Sequence, residues 1–139
     1  MPGQVAPQGN PITSQEKALL VARAALEKQA DGVAVMDVRH LSSVTDFFVV
    51  CTAGSARQID AITYQIEIVL AQHRCPIFHT EGRASAPHAS VGHDEPQWVL
   101  LDCGDIVVHL LDQPARAFYR LEELWADAPR VPVDTQAQR

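Results

Sequence analysis

Three groups of residues in this 139-residue chain have types and spacings that could do chemistry. The first is Gly54-Ser55, set between an apolar run and an amphipathic segment. Such a strand-to-helix corner can offer backbone N–H groups to a phosphate. It is equally the pattern of an ordinary helix N-cap. Metal-dependent nucleotidyl transfer would also need two or three carboxylates converging on magnesium beside that corner. Asp102 and Asp105 are the close acidic pair on expected strands, and no third carboxylate joins them. Walker, GxGxxG and GxSxG sequences are absent. The second group is His79, His88 and His93 with Glu81 and Asp94, all in or beside the Pro- and Gly-containing stretch 82–96. Their irregular spacing defines no metal geometry. Ser42-Ser43 and Cys51 lack a recognisable base, and Cys51 reads as a buried small hydrophobe. The expectation is a chain that is not an enzyme, with no catalytic residue, no metal and no cofactor.

The third group is WVLLDCGDIVVHLL, residues 98–111. With Cys103-Gly104 as a two-residue loop, Asp102 faces Asp105, Leu100 faces Val107 and Trp98 faces His109. Alternation then gathers Val99, Leu101, Ile106, Val108 and Leu110 on one wholly apolar face, which must be core. The other face carries Trp98, Leu100, Asp102, Asp105, Val107 and His109. Two carboxylates opposed at a turn destabilise a ladder by up to ~1 kcal/mol. An aromatic among apolar and charged neighbours has the composition of a protein–protein anchor. The competing reading has the last helix covering Trp98 and His109, with both Asp residues solvated.

The elements that position this hairpin follow from periodicity. Thr13 with Glu16 makes a capping box for a helix carrying Ala18, Leu19, Ala22, Ala25 and Leu26, ended by Asp31-Gly32. Val33–Val38 is a short buried strand. Asp46–Thr52 is an apolar run suited to an interior strand. Ser55 with Gln58 opens a second helix, with Ile59, Ile62, Ile66, Val69 and Leu70 on one side, ending near Arg74. Ile77–Thr80 is a weaker strand, 82–96 a long loop, and Trp98–Asp102 and Asp105–Leu111 the hairpin. Pro114 starts a last helix with Phe118, Leu121 and Trp125 on one side, and Pro129 stops it. The order α-β-β-α-β-β-β-α implies an α/β (α+β type) domain, a mixed sheet of about five strands with helices packed on it. One domain over 13–129 is expected, between disordered tails at 1–12 and 130–139.

Composition narrows the function classes. An apolar fraction of 47% fits a packed globule. No apolar run approaches the ~20 residues of a membrane span. Cys51, Cys75 and Cys103 are odd in number and far apart, which fits a reducing compartment and no disulfide framework. The N-terminus has no apolar signal core and no arginine, so neither a secretory nor a transit peptide is supported and a cytoplasmic location is expected. The formal charge is −6, which disfavours an extensive nucleic-acid clamp. Residues 95–127 hold seven carboxylates against two arginines, leaving the rest of the chain at −1. Such a field would speed encounter with a basic partner, and it also describes a merely solvated acidic helix.

Taken together, DVRHLSSVTDFFVVCT (37–52), SARQIDAI (55–62), EG (81–82), WVLLDCGDIVVHLL (98–111) and FYRLEELWADAP (118–129) resemble the ribosomal silencing factor, or Iojap-like, family, in family order and over most of 14–130. The resemblance implies a nucleotidyltransferase-like fold without the catalytic acids. It implies binding to the large ribosomal subunit through large-subunit ribosomal protein fourteen, at the surface where the small subunit docks. It implies repressed translation in stationary phase or nutrient shortage, an association with late large-subunit assembly, and homodimers. The positions it marks as partner contacts are Trp98, Leu100, Asp102, Asp105, Val107 and His109, completed by Phe118, Tyr119, Leu124 and Trp125. Two departures stand out: the stretch between Glu81 and Trp98 is long for the family, and Cys103 stands where an aromatic is common. The rival class is a nucleotide-binding or nucleotidyltransferase enzyme. A third reading makes the hairpin face the chain's own dimer contact.

Overall fold

A computed structural model describes residues 12–82, 97–119, 123 and 125–133. The expected disorder of the N-terminal residues, the expected loop 82–96 beyond Gly82 and the tail from 134 lie outside the described residues.

Helix α1 spans Ser14–Glu27. Thr13 Oγ1 accepts the Glu16 N–H at 3.0 Å, and Glu16 Oε1 accepts the Thr13 N–H at 2.8 Å, so the capping box is complete. Its buried side is Ala18, Val21, Ala22, Ala24 and Ala25, small residues that let the helix lie close to the sheet. Strand β1 (Asp31–Asp37) returns antiparallel to β2 (Phe47–Ala53). Helix α2 (Ala56–Gln72) buries Ile59, Ile62, Ile66 and Leu70, the stripe its periodicity predicts. Strands β3 (His79–Glu81), β4 (Trp98–Asp102) and β5 (Ile106–Asp112) follow. Helix α3 (Gln113–Tyr119) starts where Asp112 Oδ1 accepts the Ala115 N–H at 2.9 Å.

Among the described residues the sheet has six strands, the last being β6 (Arg130–Val131), in the order β3-β4-β5-β2-β1-β6. β2 and β5 run parallel at its centre and the other neighbours are antiparallel. The apolar run of β2 earns its central place: every residue from Phe47 to Ala53 except half-buried Phe48 is buried. The sixth strand, β6 (Arg130–Val131), pairs with β1. It corrects the expected strand number, and it places within the sheet two residues expected to begin a disordered tail. Two residues after a proline carry no period, so no sequence pattern marks them.

Helices α1 and α2 cover the front of the sheet. There Val35, Phe47, Val49, Cys51, Val99, Leu101, Ile106, Val108 and Leu110 form one core with the helix stripes. A smaller core lies on the back, where Met36, Val38, Val50 and Leu111 meet Ala115 and Ala128. The front core is the apolar face that alternation in the hairpin predicts.

Candidate docking face on the back of the sheet

The hairpin differs from its expected register by one loop residue. Cys103 N–H donates to the Ile106 carbonyl at 3.0 Å, so the two-residue loop is Gly104-Asp105. The pairs are Asp102 with Val107, Leu100 with His109 and Trp98 with Leu111. The cause is the glycine: a Gly-X loop wants Gly first, and Gly104 has φ +86°. Asp102 Oδ1 locks the turn by accepting the Gly104 N–H at 2.9 Å. Moving the loop by one residue shifts every pairing by two, so partners change but each side chain keeps its face.

Asp105 is the exception, because it now sits in the loop. Its Oδ1 lies 2.6 Å from Lys17 Nζ, on the helix that covers the front. Lys17 is itself buried and also reaches the Cys103 carbonyl at 3.4 Å. The expected opposition of Asp102 and Asp105 is therefore replaced by an ion pair that ties the turn to α1.

On the back, β4 contributes Trp98, Leu100 and Asp102, and β5 contributes Val107, His109 and Leu111. The face is divided. Leu111 is fully buried beneath the α3 side, in the small core with Ala115. His109, expected to look outward, is only 6% exposed. Trp98, Leu100, Asp102, Val107 and Phe48 are all half-buried. His109 is buried and Asp102 and Asp105 keep some exposure, as the competing reading has it, while Trp98 is only half-buried.

Four rings follow one another across this face. Trp98 and His109 have centroids 5.6 Å apart. Phe48 meets His109 edge-on at 5.2 Å, and Trp125 meets Phe48 edge-on at 5.1 Å. The indole Nε1–H of Trp98 donates to His109 Nδ1 at 3.1 Å. An indole can only donate, so Nδ1 accepts and the neutral ring carries its proton on Nε2. That Nε2 is buried with no acceptor among the described residues. An unmet buried donor costs about 1–3 kcal/mol. Burial pushes the His109 pKa down to about 4, so the imidazole is uncharged at neutral pH.

Strand β3 adds two residues that hairpin reasoning missed. His79 pairs with Asp102 and Glu81 with Leu100, so both share the back face. His79 Nε2–H donates to Glu81 Oε2 at 2.7 Å. Their spacing of two on a strand was the available signal. His88, His93 and Asp94 of the candidate metal group lie outside the described residues. Gly82, at φ +75°, explains the EG pair: a Cβ there would meet the Trp98 carbonyl oxygen at 2.1 Å.

The strand-to-helix corner is filled by its own chain. Ser55 Oγ accepts the Gln58 N–H at 3.0 Å, an N-cap. Gln58 Oε1 accepts the Gly54 N–H at 2.6 Å, and its amide donates to the Lys28 and Gln29 carbonyls, both at 3.1 Å. The Gly54 and Gln58 N–H groups thus bond to side chains. Asp102 and Asp105 point to different partners. Cys51 is wholly buried, which pushes its thiol up to about 12 and leaves it protonated.

Trp125 is half-buried against Phe48, and Glu123 is exposed. The side chains of Phe118, Tyr119 and Leu124, expected as contacts, lie outside the described residues, as does Leu121.

With this geometry in place, comparison with known proteins is decisive. Residues 11–139 match the family model described as ribosomal silencing factor during starvation. The chain belongs to the ribosomal silencing factor family. It is 32% identical over 123 residues to the ribosomal silencing factor of Halalkalibacterium halodurans, covering 88% of this chain and 97% of that one. It is 34% identical over 122 residues to that of Bacillus subtilis, covering 87% and 95%. A crystal structure of a Chromobacterium violaceum protein superposes with a TM-score of 0.73 at 26% identity, over 89% of this chain and 94% of that one. The mixed α/β architecture is thus that of a solved relative. Among the described residues no helix is long and apolar enough to cross a membrane.

Proposed function

We propose that this silencing factor is a non-enzymatic steric antagonist of ribosomal subunit joining. It docks on the large subunit through large-subunit ribosomal protein fourteen, and its bulk occupies the space the small subunit needs. Translation falls in consequence during stationary phase or nutrient shortage, and the same docking suits a role in late large-subunit assembly. The protein works in the cytoplasm, and a homodimer is compatible with this action.

The observation that carries this reading is the half-buried part of the back face. Leu100 and Val107 are half-buried there, beside the half-buried Trp98 and Asp102 and the exposed Glu81. An apolar anchor with an acidic rim suits a basic protein rather than RNA. Trp98, Leu100, Asp102 and Val107 form the contact. Phe118, Tyr119, Leu124 and Trp125 extend it, while His109 supports it from within and Asp105 ties the turn to α1. A contact of ~800 Å² per partner suffices for stable docking.

The test replaces Leu100 with Arg, which puts a cation at the centre of the face while keeping the sheet. Parent protein should co-sediment with isolated large subunits and reduce their joining with small subunits. Leu100→Arg should lose both effects with an unchanged circular dichroism spectrum. Normal binding by this variant would overturn the assigned face. The rival, a nucleotide-binding enzyme, is checked by calorimetry with magnesium and nucleoside triphosphates, where no heat of binding is expected.

A further inference from the structure

His109 is an unusual residue to find at the centre of a sheet face. It is only 6% exposed, it lies between two rings, those of Phe48 and Trp98, and its Nε2–H meets no acceptor among the described residues. A leucine or phenylalanine would fill the same space without a polar atom to leave unmet. The one bond the imidazole makes is to the indole of Trp98. That indole is half-buried, like Leu100 and Val107 on the same face. Its backbone is fixed separately, by pairing with Leu111 and by the close approach of Gly82. The His109 bond fixes the direction of the indole N–H, beside the packing of the ring on the small back core. Phe48, standing edge-on to the imidazole, in turn fixes the plane of the ring that accepts this bond.

We propose that His109 is a positioning residue: its Nδ1 holds the Trp98 indole in one orientation on the back face, and tight docking on the large subunit depends on that orientation. This rests on the docking face proposed above and adds a cause for its geometry. Pre-setting a rotamer-rich anchor lowers the entropy lost on binding. A buried histidine kept with an unmet donor is then explained by binding rather than by folding.

The experiment compares His109→Leu, His109→Gln and Trp98→Ala in the full chain, with three readouts. These are hydrogen exchange of the Trp98 indole N–H by nuclear magnetic resonance, co-sedimentation with isolated large subunits, and the urea midpoint. In His109→Leu the indole proton should exchange about tenfold faster or more, and affinity for large subunits should fall about tenfold, as for loss of an interface anchor. The urea midpoint should hold or rise, which separates positioning from simple unfolding. In His109→Gln the side-chain carbonyl can accept the indole N–H, so both protection and affinity should be largely restored. If His109→Leu fails to fold, His109→Gln carries the test: protection lost with affinity retained would overturn the proposal. An indole proton no less protected in folded His109→Leu would also overturn it, as would parent-like affinity there. Trp98→Ala tells the two claims apart. Normal binding by Trp98→Ala overturns the indole's part in docking and the positioning role with it. Weak binding by Trp98→Ala beside normal binding by His109→Leu overturns the positioning role alone.

Discussion

The Lys17–Asp105 pair shows how a single residue far away in sequence can set the hairpin. Lys17 is buried, and Asp105 keeps a side-chain exposure of 39%. Removing one partner leaves the other without its counter-charge, but water screens Asp105 in part. Lys17→Met should cost about 1–2 kcal/mol in urea unfolding, since the apolar stem survives and the charge does not. Lys17→Met combined with Asp105→Asn should recover most of that loss in a double-mutant cycle. His109 makes a second residue-scale prediction. Its folded pKa, near 4, lies below the ordinary value of 6.5. Between these values the unfolded chain binds the proton and the folded chain does not. The contribution of His109 to stability is therefore whole above pH 6.5, declines as pH falls toward 4 and is flat below. The decline is on the order of 3 kcal/mol. Subtracting the pH–stability curve of His109→Leu from that of the parent should isolate it.

At the scale of elements, local chemistry was the most legible part of the sequence. Thr13 and Glu16 marked the start of α1 because both capping bonds lie within three residues. The Ile59, Ile62, Ile66 and Leu70 stripe marked α2 because burial on one side imposes a helical period. The faces of β4 and β5 were also readable, since alternation survives a loop shift. The register was not, because it hung on whether Gly104 stood first or second in a two-residue loop. The burial of His109 was not readable either. It depends on Phe48 from β2 and on packing against β4, contacts between strands distant in sequence. The family resemblance rested on segment order, and the match over residues 11–139 bears it out. Gly82 yields the element-scale prediction. Gly82→Ala forces a Cβ into the Trp98 carbonyl at positive φ, so β3 must leave β4 or distort. A loss of about 2 kcal/mol or more is expected, with exchange protection falling first in His79–Glu81.

For the whole molecule, the sheet has an unequal division of labour. Its front is covered by α1 and α2 and supplies most of the core, while its back carries a smaller core beside α3, with His79 and Glu81 of β3 exposed. Acidic charge concentrates in residues 95–127, which include the hairpin. Docking on a basic protein through such a surface should weaken as salt rises, mainly through a slower association rate. The most direct test of the docking claim is a photo-crosslinking amino acid placed at Leu100, with the same reagent at Tyr64 on the exposed side of α2 as comparison. Irradiated with isolated large subunits, the Leu100 probe should capture large-subunit ribosomal protein fourteen and the Tyr64 probe should not. Capture of that protein from Tyr64 alone, with Leu100 silent, would contradict the account.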